Sequence, residues 1–257
     1  MTDAEALPLP DEAPEPAPPV GSKLPFILRT WYGALALAFL AVGGFLIVGQ
    51  LVPGIVVAVG LAVQGKLSQV PAEAEAQIIP YLPVIVFWGV GVAAGMVGLL
   101  ALLKWLAPKP KASGRWRIPW VIGLTVACVL GTQAISWLMA LAGLEAKEQD
   151  IITKGVLMGS IWFHLAIMVG APLGEELIFR RLVFSSLDAG CGRGVAYFVS
   201  AFLFALIHFH FSLFVAYMWM AACFTLAYEK TGSYWGAFAV HAFNNSLVLL
   251  VMSLQAQ

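Results

Sequence analysis

Charge is what this chain has least of. Of 257 residues, 14 are basic and 14 acidic, so charged side chains make up 11% and the net charge is zero. That balance offers no basic surface for a nucleic-acid partner, and none is expected. Cysteine is scarce too. Cys128, Cys191 and Cys223 are scattered, with no CxxC pair. An odd, unpatterned set excludes a disulfide framework or a thiolate metal site and reads as small apolar filler. No basic segment followed by a short apolar run precedes a cleavage site, so a signal peptide is not expected.

What is abundant is hydrocarbon. Hydrophobic residues form 61% of the chain, far above the soluble norm. Each membrane span needs about 20 such residues. The apolar runs place spans near 29–50, 79–103, 118–143, 156–179, 195–211, 213–228 and 234–253. Gln50 and Pro53 interrupt the first run, so a kink or a partly separate helix is expected after residue 50. The expected fold is all-α: a polytopic transmembrane bundle of about seven to eight spans. Gly91, Gly95 and Gly98 read as ordinary close-packing positions. Residues 1–24, MTDAEALPLPDEAPEPAPPVGSKL, cannot bury a core and read as a disordered Pro- and acid-rich tail. Residues 25–257 then form one multi-pass membrane domain.

The few cations set the expected topology. Lys104, Lys109, Lys111, Arg115 and Arg117 cluster between spans two and three, Arg180, Arg181 and Arg193 follow span four, and Lys23 and Arg29 precede span one. The positive-inside rule puts these segments, the N-terminus and the Glu175 end of span four in the cytosol. The loop with Glu145, Glu148 and Asp150 falls outside.

Against this background a few polar residues stand out. Glu175 and Glu176 follow the uncharged run 161–174. Intramembrane carboxylates are costly and mark function by default. Glu176 and Arg180 are spaced i,i+4 and can pair. Helical neighbours differ by about 100°, which leaves Glu175 to point into a cavity. Pro172 should kink the helix just before it. All four histidines also lie in apolar stretches. His208 sits one turn after Phe204. His241 and Asn245 project from one helical face, with Asn244 turned about 100° away to pack or bond locally. Ser233 is placed to cap that last helix. His164 lies roughly 16 Å from Glu175 along the axis and reads as structural. One carboxylate, two imidazoles and an amide from three helices can activate water and stabilise an oxyanion. The depths of these groups disagree, however. His208 is fifteen residues from Arg193 and Glu175 only six from Arg181, unless the segment between them dips inward or span four tilts.

The motifs EELIFR at 175–180, FALIH at 204–208 and HAFNN at 241–245 resemble the EExxxR, FxxxH and HxxxN pattern of the CPBP family of intramembrane proteases (CAAX-processing and bacteriocin-processing, or Abi). Thr231-Gly232-Ser233-Tyr234-Trp235 is similar to that family's turn before the last motif. The resemblance covers about residues 155–257. It implies a multi-pass endopeptidase, in a bacterial plasma membrane, that hydrolyses a membrane-associated peptide or protein near the cytosolic face. By motif position it makes Glu175, His208, His241 and Asn245 catalytic, with Glu176 and Arg180 in support. Arg181 stands where relatives often have a small residue. Glu175, His208 and His241 could also hold zinc or another divalent metal with an open position; a metal-free scheme with Glu175 as base uses the same residues. Two other readings of the chain are a non-catalytic scaffold or immunity protein and an ion or proton transporter.

Overall fold

The computed structural model describes residues 30–63, 117–144 and 161–255. The expected span near 79–103, the basic segment 104–116, the acidic loop after residue 144 and the N-terminal tail lie outside them. Among the described residues every regular element is a helix. Helix α1 is Trp31–Val63 and α2 is Arg117–Leu141. A continuous helical rod then runs from 161 to 191 in five pieces: α3 (Ile161–Leu165), a π-helix (Ala166–Gly170), α4 (Ala171–Glu176), a second π-helix (Leu177–Phe184) and α5 (Ser185–Cys191). Helix α6 (Arg193–Leu206) returns antiparallel to it. A 3₁₀ turn at Phe211–Leu213 leads into α7 (Phe214–Thr231), and α8 (Tyr234–Gln255) closes the order.

Three of these are long and apolar enough to cross a membrane: Arg117–Leu141, Phe211–Thr231 and Tyr234–Gln255. Large apolar side chains such as Phe39, Trp137, Phe198 and Phe243 point outward, as they must where the solvent is lipid. The protein is a multi-pass helical membrane protein. Its interior is aromatic. Phe179, Phe204 and Phe224 are fully buried, with Phe179 edge-on to Phe204 at 5.2 Å. Helix α7 is the hub, packing against α2, α6 and α8, while α1 covers α5 and the second π-helix.

Three expectations change. Helix α1 continues as one element through Gln50 and Pro53, so no separate helix begins after residue 50. The break between spans five and six falls at 207–210 instead of 211–212, so His208 lies just past the end of α6. Most consequential, span four does not stop near residue 179. The rod continues to Cys191, and Arg180 and Arg181 are buried inside it instead of lying in a loop. Alternating π and α segments let this happen. A π turn takes one more residue than an α turn, so it changes which side chains face inward without ending the helix.

The hairpin between the rod and α6 therefore turns at Gly192, where φ is 85° and ψ 160°, a conformation that only glycine adopts cheaply. This removes the depth mismatch. Glu175 and His208 lie seventeen and sixteen positions either side of Gly192, so two antiparallel helices carry them to one level.

Candidate active site

Glu176 is the best-held of the polar residues. Its side chain is completely buried. One oxygen accepts from His241 Nδ1 at 2.8 Å, and the other meets Arg180 Nε at 3.0 Å. A carboxylate can only accept, so Nδ1 of His241 carries the proton and the tautomer is fixed. Arg180, also fully buried, donates from Nη2 to the Ala221 carbonyl at 2.9 Å. Its guanidinium sits over Phe204 at 5.0 Å and Phe224 at 5.3 Å. Rings on its faces and anchors at its edge leave the cation one orientation. Arg180, Glu176 and His241 thus form a locked row, each group orienting the next.

Glu175 is different. Its Oε2 is buried, has no hydrogen-bond partner and stands 4.0 Å from His241 Nε2. The two glutamates cannot share a direction, as expected from their spacing, yet both reach His241. They address opposite edges of one imidazole. This arrangement was not foreseen, because spacing along one helix cannot place a residue from another helix between its side chains. Pro172 lies in the first turn of α4, directly after the first π-helix, so irregular backbone does precede Glu175.

His208 donates from Nδ1 to the Phe204 carbonyl at 2.7 Å. Helix α6 has just ended, so that carbonyl lacks its usual backbone partner, and the imidazole takes the place. The same logic fixes the tautomer: a carbonyl accepts, so Nε2 is the proton-free nitrogen of the neutral ring. His208 stacks on Tyr217 with centroids 4.3 Å apart and packs on Phe204 at 4.8 Å. His241 stacks on Phe224 at 4.3 Å and meets Phe204 edge-on at 5.9 Å. Phe204 is therefore a wall common to both imidazoles. His208 lies within electrostatic reach of both Glu175 and His241.

Asn245 is placed deeper along the bundle. Its amide donates to the Ile167 carbonyl at 3.0 Å, inside the first π-helix. Its oxygen accepts from Asn244 at 3.4 Å, and Asn244 in turn accepts from the Cys128 thiol at 3.5 Å. Asn245 thus holds the rod eight positions before Glu175; one of its two amide hydrogens remains uncommitted. His164 lies edge-on to Phe163, with ring centroids 6.2 Å apart.

The turn before α8 sets the register of His241. Gly232 is left-handed at φ 60°, and the Ser233 hydroxyl caps the Trp235 amide at 3.3 Å. Tyr234 donates its hydroxyl to the Leu173 carbonyl at 2.9 Å, tying the start of α8 to the rod two residues before Glu175.

Glu175, His208 and His241 were also the candidate metal ligands. Among the described residues no three His, Cys, Asp or Glu side chains are disposed to hold a metal ion. No step below passes through a metal.

Residues 157–247 match the family model described as type II CAAX prenyl endopeptidase Rce1-like. The match covers the C-terminal segment that holds the motifs at 175–180, 204–208 and 241–245. Among curated proteins, the chain is similar to the UPF0177 protein YxdF of Lactococcus lactis subsp. lactis (strain IL1403), 29% identical over 50% of this chain and 73% of that protein. It is also similar to the "Putative membrane peptidase YdiL" of Bacillus subtilis (strain 168), 24% identical over 42% of this chain and 44% of the relative. The UPF0177 protein YbdJ of the same Lactococcus strain is 34% identical over 33% of this chain and 37% of its own length. No solved structure gives a significant match.

Proposed function

We propose that this protein is an intramembrane endopeptidase that hydrolyses a peptide bond of a membrane-associated peptide or protein, with Glu175 as the base that activates water. One observation carries the reading. Glu175 Oε2 is a buried carboxylate oxygen with no hydrogen-bond partner, beside an imidazole whose far nitrogen is locked by a second glutamate. Burying such an oxygen is costly, and a use for it in chemistry explains why it is kept.

A water placed off the axis between Glu175 Oε2 and His241 Nε2 can bond to both, since their 4.0 Å separation is too long for a direct bond. Glu175 takes its proton as the water oxygen attacks the substrate carbonyl carbon. The carbonyl π pair moves to oxygen, where His241, having taken up a proton at Nε2 from solvent before the attack, donates a hydrogen bond to the developing charge and keeps that proton. Collapse of the tetrahedral species breaks the C–N bond, and the proton on Glu175 goes to the leaving amine. Glu176, held by Arg180, keeps His241 in one tautomer and steadies it when it is positively charged, as the acid of a catalytic triad does. Asn245 supports the rod from α8, and its uncommitted amide hydrogen is available to a substrate oxygen. The membrane is bacterial plasma membrane in this reading.

The test is a comparison of membrane-associated peptides and protein termini in cells that carry wild-type protein or Glu175→Ala at equal levels. The reading expects at least one new C-terminus that depends on Glu175. Identical termini in the two strains would favour a scaffold of the same fold. Because the proposed scheme uses Glu175 alone to activate water, cleavage by the purified protein should persist after chelator treatment; loss restored by added zinc would reverse that expectation.

A further inference from the structure

Helix α7 supplies no acid, base or amide to the site, yet three consecutive contacts come from one of its faces. Tyr217 stacks on His208, the rings inclined by 22°. Phe224 stacks on His241, the rings inclined by 15°. Between them, the Ala221 carbonyl accepts from Arg180. Positions 217, 221 and 224 are spaced i, i+4, i+7, so they form one stripe. The Ala221 carbonyl also accepts from the Thr225 hydroxyl at 2.9 Å, which ties the arginine contact to the helix that carries both rings.

A hydrogen bond at Nδ1 fixes where one edge of an imidazole sits. It leaves the ring free to swing about that bond. A flat partner at 4.3 Å removes this second freedom, because a swing would push ring edges into the aromatic face. Each imidazole has both restraints here: the Phe204 carbonyl and Tyr217 for His208, and Glu176 and Phe224 for His241. The Nε2 atoms are what remains free to act.

We propose that Tyr217 and Phe224 are the positioning residues of the two imidazoles and that α7 is a platform setting the plane of each ring. The proposal rests on the reading of His208 and His241 as reacting groups. Its requirement is a flat ring, not a hydroxyl, at both positions.

The experiment uses full-length protein in lipid nanodiscs with isotope-labelled histidine. Only four histidines are present, so each ring is assigned by single substitution. In wild type, the carbon-bound ring protons of His208 and His241 should be shifted upfield by the facing aromatic ring. Tyr217→Leu should move and broaden the His208 signals alone, and Phe224→Leu those of His241 alone. Tyr217→Phe and Phe224→Tyr should keep the wild-type pattern. His164 and His210 report whether a variant has misfolded. In the cleavage assay, the leucine variants should lose about 10- to 100-fold in kcat with KM little changed, since a misplacement of about 1 Å can cost that much. The conservative variants should stay near wild type. Unmoved His208 signals in Tyr217→Leu would overturn the proposal. So would a Tyr217→Phe variant as slow as Tyr217→Leu, which would make the hydroxyl the acting group. If wild type cleaves nothing, the protease reading fails while the histidine spectra still decide the positioning claim.

Discussion

At the scale of single residues the site is a row of charges in a nearly dry interior, and the partners are unequal. Glu176 and Arg180 are both fully buried and pair at 3.0 Å. Removing one partner leaves the other charge buried and uncompensated, which typically costs about 3–5 kcal/mol. Arg180→Leu should therefore lower unfolding stability in detergent by about that amount. A loss under about 1 kcal/mol would mean that Glu176 does not need its cation. Glu176→Gln asks a different question. The amide can present an N–H to His241 and favour the wrong tautomer. Cleavage should drop by about 10²–10⁴-fold while the protein stays folded, following triad logic. The Glu176–Arg180 pair was legible in the sequence because i,i+4 spacing is a property of one helix. The imidazole between Glu175 and Glu176 was not, because it arrives from α8, and no local pattern encodes which residue of a distant helix will fill a gap. Tyr217 and Phe224 carried no signal either: an apolar stripe at helical spacing is what every membrane helix shows.

At the scale of elements, the register of α6 and α8 decides whether the imidazoles reach the glutamates. Gly236 in α8 lies against Thr231; an added Cβ would fall 2.1 Å from the Thr231 hydroxyl oxygen. Gly236→Ala forces that turn apart and should cost about 1–3 kcal/mol. It should also weaken cleavage, since it lifts the start of α8 and with it His241. Equal stability and activity in wild type and variant would show that the turn can give. One alanine inserted between Val199 and Ser200 rotates everything beyond it by about 100° and advances it by about 1.5 Å. His208 then leaves the site. Cleavage should vanish while membrane insertion, followed by carbonate extraction, is unchanged. The spans from α2 onward were readable from apolar length, near the boundaries found. The rod was not. Its polar end, Ser185–Cys191, breaks the hydropathy signal, and π turns have no sequence period that distinguishes them from α turns.

At the scale of the whole molecule, the bundle has one basic end. Arg193 pairs with Glu229 at 3.1 Å, and the Lys230 ammonium lies over Trp120, near Arg117 at the start of α2. The Thr30 carbonyl, just before α1, sits against Gly190. The positive-inside rule predicts that this end is cytosolic. Glu175 is thirteen positions from Asp188, at most about 20 Å along the rod, since its π turns rise less per residue than α turns. In a Cys191→Ser background, Arg193→Cys should react with a membrane-impermeant thiol reagent only from the cytosolic side. Phe211→Cys, at the other end, should react only from outside. Labelling of both from one side would overturn this orientation.

In the proposed reaction Glu175 activates the water that cuts the substrate. The direct measurement is the single-turnover rate of purified wild type and Glu175→Gln in nanodiscs, on a peptide spanning a cleavage site found in cells, in oxygen-18 water. Wild type should place one labelled oxygen in the new C-terminus. Glu175→Gln, folded and inserted, should be slower by about 10²–10⁴-fold, the usual contribution of a general base. A Glu175→Gln variant that cuts at the wild-type rate would show that Glu175 is not the base.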